Sequence, residues 1–362
     1  MKGRILVLNA APRHAALVVD GVVEDLLLEP SSALPMPGEI WPAKVIRTVQ
    51  GAAFMDLGGG HEGYLRDVKG TKGLKTFPVQ VSSVPEPGKA TPVDRRLLIK
   101  GRNLILTPGA TGVNVSRQIR DPDERDRLIA ALPEPAEDLG VIVRSAAREV
   151  PEEILKTEFD QLSERLSALT DASDTIERFS PWIYALREWT DPLPDMIAVS
   201  DDTVRELASN PILATDAELQ ERLEPGDGDP FDHFGIWEEL ERLKLVRADL
   251  PSGGWMAIES TRAMITVDVN TGDQFTHGAG MTANVEAVKE LPRQLRLRGF
   301  GGQIIVDFAP MKKAHRKKIE ETFKTAFRRD AIETSFAGWT PLGNFELQRK
   351  RERRPLVELL KN

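Results

Sequence analysis

Short apolar runs separated by polar punctuation fill the first third of the chain. GRILVL at 3–8 and ALVVDGVV at 16–23 predict two strands joined by a polar turn, because β-branched side chains suit a pleated, half-buried surface. The proline-bearing stretch from Pro30 to Pro37 breaks the pattern. GEIWPAKVIRTV, AAFMDLGGG and HEGYLRDV then predict short strands closed by turn glycines, the spacing of a small antiparallel barrel. Residues 67–92, rich in Lys, Gly, Ser and Pro, predict a long loop, and RNLILTPG a further strand. Helical spacing takes over at Asp121–Leu132 and Glu152–Leu169, with GVIVRSA between them as a strand opening into a loop. Residues 201–250 mix both periods, with GDGDP as a loop.

A second α/β region begins at Gly253. GGWMAIES and AMITVDVNTG predict a hairpin turning near Thr261–Arg262. Thr282 to Arg298 has helical spacing, with Val285, Val288, Leu291 and Leu295 near one face, and Pro292 predicts a kink or a division of that helix. GGQIIVDF is almost wholly apolar, the pattern of a strand in a sheet covered on both faces. Strand, helix and strand in this order predict a crossover between parallel strands. A last helix, Lys312 to Arg329, carries an apolar stripe of Ile319, Phe323, Ala326 and Phe327 that belongs to a core. Its basic side, with Lys312, Lys313, Arg316, Lys317 and Arg328, is either a solvated face or a track for phosphates.

Asp268 and Asp307 each fall near the C-terminal end of a predicted strand, the end that faces the ligand crevice in an open α/β sheet. An isolated aspartate there usually caps a turn or helix. Two apolar strands delivering an acid to the same edge point instead to shared chemistry. Mg²⁺ prefers oxygen ligands and is commonly held by one or two carboxylates with several waters. Such an ion activates water and stabilises the charge that develops on a phosphoryl group. Asn270, two residues beyond Asp268, shares its face of an extended chain, where its amide can orient a carboxylate or a water.

Composition narrows the classes. The chain has 362 residues, 41% hydrophobic and 29% charged, which suits several domains with a real core rather than a disordered chain. Cysteine is absent, which removes disulfides, thiolate zinc sites, iron–sulfur clusters and cysteine nucleophiles, and fits a cytoplasmic protein. The five histidines are scattered without metal-ligand spacing. No apolar run is long enough to span a bilayer, and MKGRILVLNAAPRHAALVVD lacks the features of a signal peptide. The net charge of −8 hides an asymmetry. Basic and acidic residues number 16 and 10 over 1–120, 13 and 33 over 121–250, and 19 and 13 over 251–362. Two basic blocks therefore flank an acidic one, and a polyanion responds to local field more than to the total.

LPSGGWMAIESTRAMITVDVNTG followed by RQLRLRGFGGQIIVDFAPM resembles the ribonuclease E/G family of bacterial endoribonucleases. GAAFMDLGGGHEGYL, VIVRSAA, DPFDHFGIWEELERL and TPLGNFELQRKR resemble it too, collinearly from Met1 to about Arg351. The resemblance implies an α/β composite. An RNase H-like subdomain (1–35 and 181–243) is interrupted by an OB-type RNA-binding barrel (36–103) and a 5′-sensor region (104–180). A DNase I-like α/β catalytic subdomain (244–362) follows. Asp268 and Asp307 match the family's two metal-binding aspartates and Asn270 the asparagine that supports them. The implied reaction is Mg²⁺-dependent cleavage of single-stranded RNA, in processing or decay, leaving a 5′-phosphate and a 3′-hydroxyl.

The resemblance also assigns RNA contacts. On spacing alone, Phe54 and Tyr64 are either barrel core or a stacking surface for bases; the resemblance makes them RNA-binding. Lys44 and Arg47 are phosphate contacts or solvated charges, and Arg349 matches a family arginine taken as an RNA contact. Arg144, Ser145 and Gly112 match the pocket for a 5′-monophosphate, in which a guanidinium fork suits the phosphate. Ser145 stands where threonine is usual, Ala147 where glycine is commoner with Arg148 after it, Gln118 for one of two arginines, and Pro341 for another. The family usually continues into a cysteine-bearing zinc link and a small domain. A chain without cysteine implies a short form with no zinc-linked oligomer, a monomer or weak dimer. Two other classes remain: an RNA-binding protein that keeps the fold without catalysis, and a phosphodiesterase acting on DNA.

Overall fold

The computed structural model describes residues 2–31, 33–68, 76–171, 177–207, 210–273, 278–328 and 330–361. The chain forms two compact units, Met1–Phe234 and Gly235–Asn362.

Three sheets build the first unit. In the first, Arg4–Asn9 runs antiparallel to His14–Val19 and parallel to Met196–Ser200, and the order ends in Leu223–Gly226 on one side and Val22–Leu27 on the other. ALVVDGVV is therefore two strands rather than one. Asp20 and Gly21 take positive φ, 50° and 81°, the backbone of a two-residue hairpin turn. Leu6, Leu8, Ile197 and Val199 pack with Trp182 and Leu186 of the helix Pro181–Glu188.

The second sheet is a closed five-stranded barrel, ordered Ile40–Val49, Ala52–Asp56, Glu62–Leu65, Thr91–Asp94 and Phe77–Val81. Its core holds Trp41, Met55, Leu65, Val79 and Val93. The predicted loop at 67–92 thus contains a strand, Phe77–Val81, which closes the barrel against Ile40–Ala43. Pro78 is tolerated within it, and residues 69–75 of that stretch lie outside the described residues.

In the third sheet, Leu139–Val143 lies between Val113–Val115 and Leu104–Pro108, backed by the helix Glu152–Asp171. Glu158 of that helix is buried and accepts from Asn103 N at 2.8 Å, Asn103 Nδ2 at 2.7 Å and Leu104 N at 3.1 Å. Burial pushes its carboxyl pKa up despite those bonds. Gly101 is required beside it, since a Cβ there would lie 2.0 Å from Glu158 Oε1.

The second unit is a six-stranded mixed sheet ordered Arg247–Asp249, Trp255–Ser260, Ile265–Asn270, Gly302–Asp307, Phe345–Arg349 and Thr334–Trp339. The hairpin at Thr261 and the parallel crossover are as expected, with Thr261 N donating to Met264 O at 2.9 Å. The helices Ala279–Leu297 and Arg316–Phe327 bury Val288, Leu291, Leu295, Ile319 and Phe323 against Val267, Val269, Ile304 and Val306. Coverage of both faces is not what this sheet shows. Gln303 and Asp307 are exposed and alternate with buried Ile304 and Val306, so the strand has one wet face. Pro292 is buried inside one continuous helix and does not divide it.

The RQLRLR arginines are struts. Arg293 pairs with Glu239 and Glu290, Arg296 with Asp330, and Arg298 donates to the Leu243 and Leu245 carbonyls. The bonds of Arg293 to Glu239 and of Arg298 to the Leu243 carbonyl tie the helix Ile236–Leu243 into the second unit, which begins at Gly235.

Candidate functional site

Ile265–Asn270 and Gly302–Asp307 pair in parallel with Asp268 opposite Asp307. Paired residues of neighbouring strands share a face and stand about 4.8 Å apart along the hydrogen-bonding direction. Val267, Val269 and Val306 fill the buried face, so both aspartates project from the open one, and both are exposed. Asn270 Nδ2 donates to Asp268 Oδ2 at 2.9 Å, which orients that carboxylate. The sequence thus brings together residues 39 positions apart by placing each at the same register of adjacent strands.

Two further residues fix this end of the sheet. A Cβ on Gly254 would lie 2.7 Å from the Asn270 carbonyl oxygen, so glycine permits the close approach of the two chain segments. Asn284 is 0% exposed on the crossover helix, and its amide both donates to Ala309 O at 2.9 Å and accepts from Ala309 N at 3.0 Å. That clamp holds the segment leaving Asp307. Sequence reasoning passed over Asn284, although a polar residue on the apolar face of the helix was the available signal.

The donors at the Asp268–Asp307 edge are all oxygen: two carboxylates and the Asn270 amide oxygen. Among the described residues no group of three or more His, Cys, Asp or Glu is placed to hold a metal. A pair of carboxylates with an adjacent amide suits Mg²⁺, which keeps much of its water, better than it suits zinc.

On the barrel, Phe54 and Tyr64 are cross-strand partners, their rings 5.4 Å apart in an edge-to-face contact. Both are half-buried and outside the barrel core. Arg47 pairs with Phe54, its guanidinium 3.9 Å from the ring centroid. The outer row thus reads Arg47, Phe54, Tyr64 and Pro92. Lys44 is exposed beside Asp56 in the next row.

Arg144 follows the strand Leu139–Val143. Its guanidinium donates to the Gly101 carbonyl at 2.9 Å and pairs with the Glu188 carboxylate. Ser145 Oγ donates to Asp191 Oδ2 at 3.0 Å. Burial alone would raise the Glu188 pKa, but Arg144 and Arg187 hold it below the ordinary carboxylate value. Gly112 is not brought to this place. It precedes Val113–Val115, which pairs in parallel with the same strand at Val141, so Gly112 sits at the opposite end from Arg144. Four residues at 3.3 Å each make that about 13 Å. The glycine at Arg144 is Gly101.

Arg349 also departs from expectation. Its side chain is 0% exposed, with Nη2 donating to Asp330 Oδ1 at 2.9 Å and Nη1 to Thr334 Oγ1 at 3.0 Å. It is an internal brace of the second unit, and no surface of it is left for RNA.

Among the described residues no helix is long and apolar enough to cross a membrane. Residues 98–352 match the model of the Ribonuclease E/G family. Over 399 residues the chain is 28% identical to Ribonuclease G of Salmonella typhimurium (strain SL1344), covering 99% of this chain and 82% of that protein. The same figures hold for Ribonuclease G of Escherichia coli (strain K12). Ribonuclease E of Nostoc sp. (strain PCC 7120) is 32% identical over 304 residues, 78% of this chain and 44% of that protein.

Proposed function

Because the chain belongs to the ribonuclease E/G family, we propose that it is a Mg²⁺-dependent endoribonuclease acting on single-stranded RNA and leaving 5′-phosphate and 3′-hydroxyl ends. Membership by itself supports a general role in RNA processing. The single observation that supports the finer reading is the register of Asp268 against Asp307 with Asn270 bonded to the first. In this reading the barrel is the OB-type RNA-binding element, the sheet built on Arg4–Asn9 is RNase H-like, and the second unit is DNase I-like.

Asp268 and Asp307 would hold the ion, and Asn270 would keep Asp268 turned toward it. A bound Mg²⁺ supplies an activated water and stabilises charge on the phosphoryl oxygens. Asn284 keeps Asp307 at its station through the Ala309 main chain. Phe54 and Tyr64 offer ring faces and edges to unpaired bases, and Arg47 and Lys44 offer positive charge to the backbone beside them.

The test is incubation of the full chain with a 5′-monophosphorylated, A/U-rich single-stranded RNA, with and without Mg²⁺. Internal cuts that need Mg²⁺ and carry 5′-phosphates are expected. Binding without cutting would return the protein to the non-catalytic RNA-binding class.

A further inference from the structure

A row of side chains next to the carboxylates takes no part in the reading above. The strand Trp255–Ser260 pairs antiparallel with Ile265–Asn270, placing Ala257 opposite Asp268 and Trp255 opposite Asn270. Directly opposed residues share a face. Met256 and Ile258 fill the buried side, so Trp255 and Ala257 stand on the open face with the aspartates. On the outer neighbour, Arg247 pairs with Ala257 and Asp249 with Trp255. One row across four strands therefore reads Arg247, Ala257, Asp268, Asp307, and the next reads Asp249, Trp255, Asn270.

Within this patch the Arg247 guanidinium lies 5.2 Å from the Trp255 ring centroid. Its Nε donates to Asp249 Oδ1 at 2.7 Å. Among the described residues its two terminal nitrogens make no hydrogen bond. Trp255 is half-buried and Arg247 exposed. Ala257 stands between Arg247 and Asp268 in that row and presents only a methyl group. An indole with an open part, a guanidinium beside it, and a carboxylate pair in the guanidinium's own row, one row from the indole, make the parts of a nucleotide site.

We propose that Trp255 and Arg247 form a nucleotide platform beside the Asp268–Asp307 pair. The indole stacks on a base that flanks the cut, and the free edge of the guanidinium takes the phosphate adjoining that base. Stacking on an aromatic tolerates any base, because every base has a π-face. Arginine suits the second role because it is weakly hydrated and keeps its fork while lying on a ring. Asp249 holds the guanidinium by Nε, away from the edge that the phosphate needs. The platform rests on the nuclease reading for the identity of the strand and of the cut.

The experiment has three readouts. Affinity for a single-stranded RNA is measured in EDTA, where no cutting occurs, for the wild-type chain, Trp255→Phe, Trp255→Ala and Arg247→Ala. Cleavage in Mg²⁺ gives kcat and KM for the same proteins. RNAs made abasic at one position after another around the cut locate the stacked base. Trp255→Ala is expected to weaken binding about fivefold to a hundredfold, the range for one stacked base, and to raise KM more than it lowers kcat. Trp255→Phe keeps most of the affinity. One abasic position costs the wild type as much and costs Trp255→Ala nothing more. Arg247→Ala flattens the salt dependence of binding by a slope of about 1.

Wild-type affinity and KM in Trp255→Ala, with the same abasic penalties in both proteins, would overturn the platform and leave Trp255 as edge packing. Should Trp255→Ala fail to fold, the wild type alone decides, because a lack of any abasic penalty at positions flanking the cut overturns the platform equally. The two readings fail separately. A wild type that binds RNA through Trp255 and never cuts sinks the nuclease reading only, and one that cuts without regard to Trp255 sinks the platform only.

Discussion

Asp268 and Asp307 on the six-stranded sheet, and Arg144 and Ser145 after the strand Leu139–Val143, are picked out by the same kind of pattern: the expected residue types in the expected order. Their conditions in the folded chain are opposite. The aspartates are exposed, and among the described residues the side-chain hydrogen bond that reaches them comes from the neutral Asn270 amide. Arg144 is already answered by Glu188 and by the Gly101 carbonyl, and Ser145 by Asp191. A carboxylate presents to a guanidinium what a phosphate would, two oxygens with negative charge. Among the described residues the first site is thus left without a cationic partner, and the second compensates itself. A motif reports which groups are present; the neighbours that fold against it decide whether they are available.

The sharpest way to break this contrast is to remove the open charge. Asp307→Asn keeps shape and register and deletes one carboxylate. Mg²⁺-dependent cleavage should fall by about a thousandfold or more, as expected when several kcal/mol of charge stabilisation is lost. RNA affinity, measured by equilibrium binding, should change little. A variant that cuts at more than a tenth of the wild-type rate would show that the pair does not hold the ion.

A second test concerns whether open groups in the first unit also serve RNA. Phe54→Ala with Tyr64→Ala should weaken single-stranded RNA binding by about 2–6 kcal/mol if each ring stacks on one base. The effect should persist without Mg²⁺, since these rings are not placed among the aspartates' neighbours on the sheet. Unchanged affinity in the double variant would leave Arg47, Phe54 and Tyr64 as a surface brace of the barrel.

Legibility followed the range of the interactions involved. The carboxylate pair was readable because each aspartate ends an apolar run, and the crossover between the runs then sets adjacent parallel strands. The alternation of Gln303 and Asp307 with Ile304 and Val306 was also visible, but the run of isoleucines and valine drowned it. The strand Phe77–Val81 was hidden by Pro78 and by loop-like neighbours, because proline at a barrel position is set by tertiary pairing rather than by propensity. In ALVVDGVV the Asp-Gly turn signal was present and was outweighed by the valines on either side. Arg349 was misplaced for a different reason. Its partners Asp330 and Thr334 lie on neighbouring segments, and only the fold shows that they enclose it. Glu188 and Asp191 stand more than 40 residues from Arg144 and Ser145, so their closure onto those two side chains had no local signal.

The smallest expected effect tests that closure directly. Wild-type protein should cut 5′-monophosphorylated and 5′-hydroxylated RNA of one sequence at rates within about threefold, less than one charge-assisted hydrogen bond would give. Glu188→Gln keeps an acceptor near Arg144 and Arg187 but removes the charge that a phosphate would have to displace. The preference for the monophosphate should then rise to about tenfold, and Arg144→Ala in the same background should abolish it. Acid cannot replace the substitution. Arg144 and Arg187 hold the Glu188 carboxyl pKa below its ordinary value, so acid favours the neutral form less here than in a free glutamate. The sign of the linkage gives an independent check. The stability contributed by this pairing is complete above the ordinary glutamate pKa and is lost as pH falls through the lowered folded value, so Glu188→Gln should flatten the acid limb of thermal melting against pH. A tenfold monophosphate preference already present in the wild type, and removed by Arg144→Ala, would mean that Glu188 and Asp191 give way to the phosphate. The two sites would then differ in occupancy and not in function.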